Sequence, residues 1–133
     1  CIFRLSDVIL CKAEIENNLN GPAAALPYLN QIRARAGAPE YGKHNRFPAP
    51  STKEAMNDAI LKERGYELVF EFQRRADLIR FGKYEEVVNA HLKKLGIAQP
   101  TNVTSSLRYF PYPLNDAQLN PNLAAENPSR LPK

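Results

Sequence analysis

The stretch that decides the fold runs from Glu63 to Gly82 and reads ERGYELVFEFQRRADLIRFG. Its three glutamates recur at a spacing of four, so on a helix their side chains lie in one row. Charges this close to large apolar side chains are partly buried, and buried ions require paired, hydrogen-bonded partners. The stretch therefore predicts a network of arginine and carboxylate pairs inside a helical core. The apolar side chains between the charges are Leu68, Val69, Phe70, Phe72, Leu78, Ile79 and Phe81.

The predicted network draws on two parts of the chain. We expect Arg64 and Arg74 to bridge acidic residues of this stretch and of the first helix, including Asp7 or Glu14. Arg4, three positions before Asp7, is spaced to pair with it on one side of that helix. The role of the network is predicted to be structural. Its predicted members are Arg4, Asp7, Glu14, Glu63, Arg64, Glu67, Glu71, Arg74 and Asp77.

The same glutamates have a second interpretation, as the paired carboxylates of a glycosidase. Neighbours in the row lie about 6 Å apart along a helix axis, a separation that suits such a pair. They project the same way from one rigid element, however, beside arginines that favour their charged form, whereas a general acid must hold its proton. No hydrolase, zinc-protease, phosphate-loop or dinucleotide motif occurs. The sequence therefore predicts no enzyme, no catalytic residue and no cofactor.

Length and composition describe one domain of ordinary size. The 133 residues are 44% hydrophobic and 24% charged, with a net charge of +4. No apolar run approaches the roughly 20 residues of a membrane span. A nucleic-acid binder needs a basic stripe with exposed aromatic residues, whereas most arginines here have acidic neighbours at helical spacing. The composition thus argues against a membrane span and against a nucleic-acid partner.

The two cysteines predict neither a disulfide nor a metal site. On one helix Cys1 and Cys11 lie about 15 Å apart along the axis, too far to be bridged. The only histidines are His44 and His91, so no metal-ligand spacing occurs. Cys1 matches the acylated first residue of a bacterial lipoprotein, but an amphipathic helix follows it at once. We therefore interpret it as a core cysteine of a chain whose beginning is missing, through truncation or processing.

Two helices at the start of the chain predict a hairpin of about one tetratricopeptide-like unit. The first covers residues 3–17, and an Asn/Gly-rich stretch at 17–21 stops it. The second covers residues 22–36, with a local kink at Pro27 and the left-handed cap Gly37. The apolar face of the first helix is predicted to consist of Phe3, Leu5, Val8, Ile9 and Ile15.

Three further helices complete a helical core of about residues 3–96. The third is predicted over residues 52–72, opened by a capping box of Ser51 and Glu54. The fourth covers residues 74–80, and the fifth covers residues 84–95. Glycines at 82 and 96 are expected to end these two helices.

Two proline-rich segments are predicted to lack regular structure. In the loop 38–50 we expect Tyr41 and Phe47 to pack into the helical core rather than to touch a ligand. In the tail, residues 97–133, the prolines are expected to permit only extended segments and tight turns. The predicted fold is therefore all-α, with tetratricopeptide-like helical hairpins and a Pro-rich irregular C-terminal tail.

Four groups of residues resemble motifs of one known family. Residues 4–14 resemble the motif R-x-x-D-x-x-L-x-x-A-E, and residues 25–37 resemble A-L-x-x-L-N-x-V-R-x-R-A-G. Residues 63–82 resemble E-R-x-x-E-L-x-F-E-x-x-R-x-x-D-L-x-R-W-G, with Phe81 in place of Trp. Residues 111–128 resemble the closing P-I-P and N-P-x-L-x-Q-N-P motifs. Because the four motifs occur in the family's order, the chain is identified as resembling the C-terminal region of the RagB/SusD family.

The resemblance implies a largely α-helical, non-catalytic lipoprotein on the outer face of the Bacteroidetes outer membrane. Such proteins bind glycans or other nutrients for uptake, and they form the lid of a TonB-dependent transporter of the SusC type. The resemblance also implies that this chain is the C-terminal part, with a lipid-anchored N-terminus upstream. The family's ligand-binding residues lie largely outside these motifs, so none is carried over.

Two functions stay open: a nutrient-binding protein of the transporter system, or a helical protein–protein scaffold without a small ligand. A glycan site needs exposed aromatic rings beside polar groups, and the candidates are Tyr41, Tyr84, Tyr109 and Tyr112. Burial of all four would indicate a scaffold. A third possibility, a basic nucleic-acid binder, requires the joint exposure of Arg33, Arg35, Arg74, Arg75 and Arg80.

Overall fold

The structure, a computed structural model, describes residues 4–96, 103–104, 108, 110 and 112–126, with the side chains of 124–126 left out. The described residues hold no strand, and one isolated bridge joins His44 to Phe47. The predicted all-α fold is therefore confirmed. The chain forms two compact units, Cys1–Asp77 and Leu78–Lys133. The helices are α1 (Leu5–Asn20), α2 (Pro22–Arg35), α3 (Lys53–Glu67), α4 (Arg74–Arg80), α5 (Tyr84–Lys94), α6 (Leu114–Leu119) and α7 (Pro121–Glu126).

The first unit is built on the hairpin of α1 and α2. Gly21 alone separates the two helices, and its φ of 87° is a conformation that glycine adopts without strain. The helices pack most extensively on each other, and α3 packs on both. Small side chains at Ala13 and Ala25 are fully buried in this packing, which allows close approach of the backbones. The larger core side chains of the unit are Leu10, Leu29, Ile32, Met56, Ile60, Leu61 and Leu68.

The predicted apolar face of α1 is wrong. Its buried residues are Ser6, Leu10, Ala13 and Asn17, whereas Leu5, Val8 and Ile15 are exposed. The helix carries apolar side chains on two sides, so periodicity alone does not identify the side that faces α2. Ile9 is half-buried, and Phe3 lies outside the described residues.

The predicted stop of the first helix is also displaced. The helix continues through Asn17 to Asn20. The fully buried Asn17 amide donates to the carbonyl of Lys53 at 2.9 Å and to the side chain of Asn57 at 2.7 Å. A polar residue that resembles a turn signal therefore binds the start of α3 to the hairpin.

The helix α2 and the glycine after it were predicted close to where they lie, and the local kink predicted at Pro27 stays a prediction. The helix α2 runs continuously through the exposed Pro27. Gly37 follows its end with φ of 68°, the left-handed conformation expected of a cap.

The third helix is shorter than predicted at both ends. Thr52, rather than Ser51, is its N-cap, and the Thr52 hydroxyl accepts from the amide of Ala55 at 3.1 Å. The helix ends at Glu67 instead of residue 72. Phe70 and Phe72 have φ of 64° and 60°, which is incompatible with a right-handed helix. A turn therefore separates α3 from α4.

The left-handed turn leads to a prediction for Phe72. A side chain in this conformation costs about 1–2 kcal/mol, and the Phe72 ring is 96% exposed, so it contributes little packing. Replacing Phe72 with Gly is expected to raise the free energy of unfolding by up to about 1 kcal/mol. Urea unfolding of the purified chain measures the change. The control, Tyr66→Gly within α3, should lower the same quantity by about 1 kcal/mol. Destabilisation by both variants would contradict the strain argument.

The second unit is held by contacts of α5 with the segment that follows it. Arg108 donates to both carboxylate oxygens of Glu85, at 2.7 and 3.1 Å, and this hydrogen bonding lowers the pKa of Glu85. The side chain of Asn89 exchanges two hydrogen bonds with the backbone of Val103, at 2.9 and 2.7 Å. These contacts fix Val103 and Arg108 against α5.

The tail differs from the expectation of extended segments and turns alone. Pro113 precedes the short helix α6 as its N-cap, and Pro121 is the first residue of α7. The missing N–H of proline costs nothing in the first turn of a helix. Proline-rich sequence thus permits brief helices that begin at the prolines themselves.

Candidate functional site

The three glutamates of the deciding stretch pair with arginines of α2 and with Arg4, which precedes α1. Glu63 pairs with Arg33 of α2 at 2.6 Å, with both side chains only 6% exposed. Glu67 and Glu71 both pair with Arg4, at 2.9 and 2.7 Å. Arg35 adds a second guanidinium to Glu67 at 2.6 Å. The carboxylates therefore connect α3 and the turn after it to both helices of the hairpin.

Arg64 is the most deeply buried cation of this group. Its guanidinium contacts Asp7 of α1 at 2.8 Å and Asp77 of α4 at 2.8 Å, and its side chain is 3% exposed. Burial lowers the pKa of Arg64, but the two aspartates raise it by more, so the net shift is upward. Its other nitrogen lies 3.6 Å from the Cys11 sulfur. One side chain thus joins three helices.

Arg74 occupies a different position from the one expected. It donates to the carbonyl of Leu61 at 2.6 Å, so this contact is to the backbone rather than to a carboxylate. A Cβ atom at Gly65 would lie 2.9 Å from the Arg74 guanidinium. Glycine at position 65 therefore leaves the space in which Arg74 reaches the carbonyl. Glu14, another predicted member, is half-buried on α1.

The surroundings of Glu67 lead to a pH prediction. Burial raises the pKa of Glu67, but Ser6, Arg4 and Arg35 lower it by more, so it lies below the ordinary value of 4.5. The unfolded state then binds more protons, and the contribution of Glu67 is present above about pH 4.5 and lost as the pH falls through the folded pKa. Glu67→Gln is therefore expected to flatten the loss of stability with acidification.

The test of this pH dependence is urea unfolding of both chains at several pH values from neutral to acid. The control is Asp58→Asn, because Asp58 is an exposed acid on the same helix. Parallel stability curves for Glu67→Gln and the unmodified chain would contradict the expected linkage.

The loop between α2 and α3 is fixed by side chains of α2. Asn30 forms two hydrogen bonds with the backbone of Tyr41, at 2.9 and 2.8 Å. Arg33 donates to the carbonyl of Pro39 at 2.6 Å. The backbone of Gly42 donates to the carbonyl of Phe47 at 2.8 Å, which closes the loop on itself. The loop is therefore an ordered part of the first unit.

An aromatic pair lies at the centre of this loop. The rings of Tyr41 and Phe47 meet edge to face, with centroids 5.9 Å apart and planes at 89°. The Arg33 guanidinium lies 4.6 Å from the Tyr41 ring and 4.8 Å from the Phe47 ring. Both residues are half-buried. The two rings are therefore not fully buried in the core, and they do not form a flat platform of coplanar rings.

Two surface clefts adjoin at this pair and share Tyr41, Phe47 and Lys62 in their walls. The first, of about 470 Å³, lies towards the start of α3 and is also lined by Arg46 and Asp58. The second, of about 440 Å³, lies towards the end of α2. Its further lining residues are Arg33, Ala36, Ala38, Glu63, Tyr66 and Glu67.

The described tyrosines among those singled out from sequence belong to both compact units. Tyr41 lines both clefts, whereas Tyr84 and Tyr112 belong to the second unit and are half-buried. Tyr109 lies outside the described residues. Sequence reasoning missed Tyr66, which is 63% exposed in the wall of the second cleft. Its position four residues after Lys62 on one helix was the available signal.

Other kinds of site are not apparent in the described part of the chain. It holds no group of three or more His, Cys, Asp or Glu side chains that could bind a metal ion. Across the same residues, every helix is too short or too polar to cross a membrane. Arg33 and Arg35, which a nucleic-acid surface would require, are engaged with glutamates. Cys11 is exposed, and Cys1 lies outside the described residues.

Comparisons with known proteins agree with this architecture. The family model of the SusD family matches residues 1–129. SusD-like protein P25 of Formosa agariphila is 39% identical over 120 residues, which are 90% of this chain and 22% of that protein. The starch-binding protein SusD of Bacteroides thetaiotaomicron is 27% identical over 125 residues, 92% of this chain and 20% of that protein.

A solved structure shares the fold. The crystal structure of a SusD superfamily protein from Bacteroides vulgatus superposes with a TM-score of 0.68 at 28% identity, covering 90% of this chain and 25% of that one. This chain thus spans about a fifth to a quarter of the length of the relatives it matches. The predicted resemblance and the predicted helical fold are both confirmed, and the chain belongs to the SusD family.

Proposed function

We propose that this chain is the C-terminal part of a non-catalytic protein that binds an oligosaccharide or another nutrient for uptake. The observation that carries the proposal is the family match along residues 1–129. One relative in the same family is named as a starch-binding protein. The pairing of Glu63, Glu67 and Glu71 with arginines also supports a binding role over catalysis, because each carboxylate is already engaged by a structural counter-charge.

The proposed location is the cell-surface face of the outer membrane. The whole protein is attached there peripherally, by a lipid anchor upstream of this chain, and works with a TonB-dependent, SusC-like transporter. Family membership supports this assignment. The nutrient is captured outside the cell and handed to the transporter, which moves it inward.

Within that protein, residues 1–133 form the C-terminal part of the domain and have a mainly structural role. They comprise a helical core at about 3–96 and a tail at about 97–133. The ion-pair network carries this structural role. Support comes from Arg64, whose contacts reach Asp7 and Asp77 in two other helices. Candidate ligand contacts in this part are Tyr41, Tyr84, Tyr109 and Tyr112, of which Tyr41 has the support of the two clefts.

A second candidate function, a helical scaffold for protein contacts, has an observation in its favour. Phe70 and Phe72 are 93% and 96% exposed on the turn after α3. Exposed aromatic side chains of this size are typical of surfaces that meet another protein. Such contacts also occur within a transporter complex, so the two functions differ in whether a small ligand is bound.

The decisive experiment uses the full-length protein, purified without its lipid. Isothermal titration calorimetry against a panel of neutral and acidic polysaccharides should detect binding to at least one of them. The control is the same panel titrated into an unrelated helical protein. Binding to no glycan, together with tight binding to another nutrient, would overturn the polysaccharide assignment. Binding to no small ligand at all would favour the scaffold.

The transporter partnership is tested separately. An affinity-tagged full-length protein, extracted from outer membranes in mild detergent, should co-purify with a TonB-dependent transporter. A variant whose anchoring cysteine is replaced should lose its membrane attachment. Purification of the tagged protein from that membrane without any transporter would contradict the proposed partnership.

A further inference from the structure

Two cations at the aromatic clefts have no carboxylate partner. Lys62 lies in the wall of both clefts and Arg46 in the wall of the first. Both side chains are exposed, and neither forms an ion pair or hydrogen bond with any other residue that the structure describes. Most of the cations around them are engaged, since Arg33 pairs with Glu63 and Arg35 pairs with Glu67. Positive charge at the clefts is therefore concentrated on Lys62 and Arg46.

The acidic groups of the clefts do not cancel this charge. Glu63 and Glu67 are already occupied by arginines. Asp58 remains, exposed in the wall of the first cleft and without a described partner. Two unpaired cations thus face one unpaired carboxylate, which leaves a surplus positive charge at the clefts.

The same walls offer aromatic surface beside the cations. Tyr66 follows Lys62 by one helical turn on α3, so the two side chains are neighbours on one face. Its ring is 63% exposed. Tyr41 and Phe47 separate the clefts and are held in place by Arg33 and Asn30. Sites for small molecules combine apolar walls of this kind with a few placed polar groups.

We infer that these adjoining clefts form a contact site for an anionic oligosaccharide, one that carries carboxylate or sulfate-ester groups. Lys62 and Arg46 meet the anionic groups, and Tyr66 covers the apolar face of a sugar ring. The order of the clefts along α3, from Asp58 past Lys62 to Tyr66, gives an extended groove rather than one closed pocket. The inference rests on the proposed nutrient-binding function and specifies the chemical class of the nutrient.

The test measures binding by the full-length protein to three probes of similar size. Tetragalacturonate carries carboxylates, a sulfated galactose tetramer carries sulfate esters, and cellotetraose is neutral. We expect the protein to bind at least one anionic probe more tightly than cellotetraose. Added salt should weaken that binding, because salt screens exposed charges. The preferred anionic probe identifies the anionic group.

Three variants connect binding to these residues. Lys62→Gln and Arg46→Gln should each weaken binding of the anionic probe by about fivefold, and together by on the order of twentyfold. Asp58→Asn should strengthen it, because a repelling charge is removed. Because Asp58→Asn changes the affinity in the opposite direction to the other two variants, the result distinguishes a ligand contact from general damage to the fold. Thermal unfolding of the variants should be unchanged, since the three side chains are exposed and unpaired.

The outcomes distinguish the inference from the function on which it rests. Anionic binding that all three variants leave unchanged overturns the site while the nutrient-binding function stands. A preference for cellotetraose overturns the anionic class alone. Failure of the full-length protein to bind any saccharide overturns the inferred site, and failure to bind any other nutrient as well overturns the nutrient-binding function.

Discussion

Replacing Arg64 with methionine is expected to lower the free energy of unfolding by about 3–5 kcal/mol, the cost of breaking a buried ion pair from one side. The Arg64 side chain is 3% exposed, and its guanidinium contacts both Asp7 and Asp77. Methionine preserves much of the side-chain volume but removes the positive charge that the Asp7 and Asp77 carboxylates contact. Asp77 is itself 3% exposed, so water cannot replace the lost contact. Urea unfolding of the chain, followed by circular dichroism, measures the loss.

The matched control is Arg35→Met. Arg35 also pairs with a glutamate at 2.6 Å, but it is 59% exposed. An exposed pair contributes about 0–1 kcal/mol, so this variant should be nearly neutral. Equal effects of the two variants would contradict the argument from burial. Combining Arg64→Met with Asp7→Leu and Asp77→Leu should recover part of the stability, because the two carboxylates that contact Arg64 are then removed together with it.

Replacing Leu10 with alanine is expected to lower the free energy of unfolding by about 2–5 kcal/mol. The Leu10 side chain is fully buried where α1 meets the rest of the first unit. Its removal loses apolar burial and leaves a cavity that the packed helices only partly fill. Urea unfolding should show a lower midpoint with an unchanged slope, because the surface exposed on unfolding stays the same.

Leu5→Ala on the same helix is the control. Leu5 is 73% exposed, and surface substitutions usually change stability by less than about 0.5 kcal/mol. A sequence-based view of α1 ranks the two residues the other way, because it places Leu5 on the buried face. A larger loss of stability for Leu5→Ala than for Leu10→Ala would therefore favour the apolar face predicted from sequence and contradict the structure.

Local signals explain why much of the fold could be predicted from sequence. Gly37, Gly82 and Gly96 all adopt positive φ, and each follows the end of a helix that periodicity had indicated. The density of charge and apolar groups between Glu63 and Gly82 required internal pairing, and ordered motifs identified the family. Each of these signals depends on residues near one another in the chain.

The parts that could not be predicted depend on distant partners. The spacing of Arg4 and Asp7 suggested that they pair with each other, but Arg4 binds Glu67 and Asp7 binds Arg64. The amide of Asn17 meets Lys53 and Asn57, 36 and 40 positions away. Neither the choice of ion-pair partner nor the hydrogen bonds of Asn17 can be predicted from residues nearby in the sequence.

The turn after α3 and the two clefts could not be predicted from sequence for a related reason. Phenylalanine rarely adopts a positive φ, so nothing in the sequence indicated that α3 ends before Phe72, and the predicted helix was too long. Tyr66 lines its cleft together with Tyr41 and Phe47 of the loop, and Asn30 and Arg33 of α2 fix that loop. Only the assembled unit reveals which ring faces solvent.

The link between Arg4 and Glu67 has a consequence for synthesis on the ribosome. The two residues are 63 positions apart, and at about 5–20 residues per second roughly 3–13 seconds separate their translation. The hairpin of α1 and α2 emerges before α3, with its cationic and acidic side chains still in water. Its helices can associate early, but the first unit becomes fully cooperative only after α3 and α4 have been made. A stalled or truncated chain ending before Glu63 would therefore remain open to proteolysis.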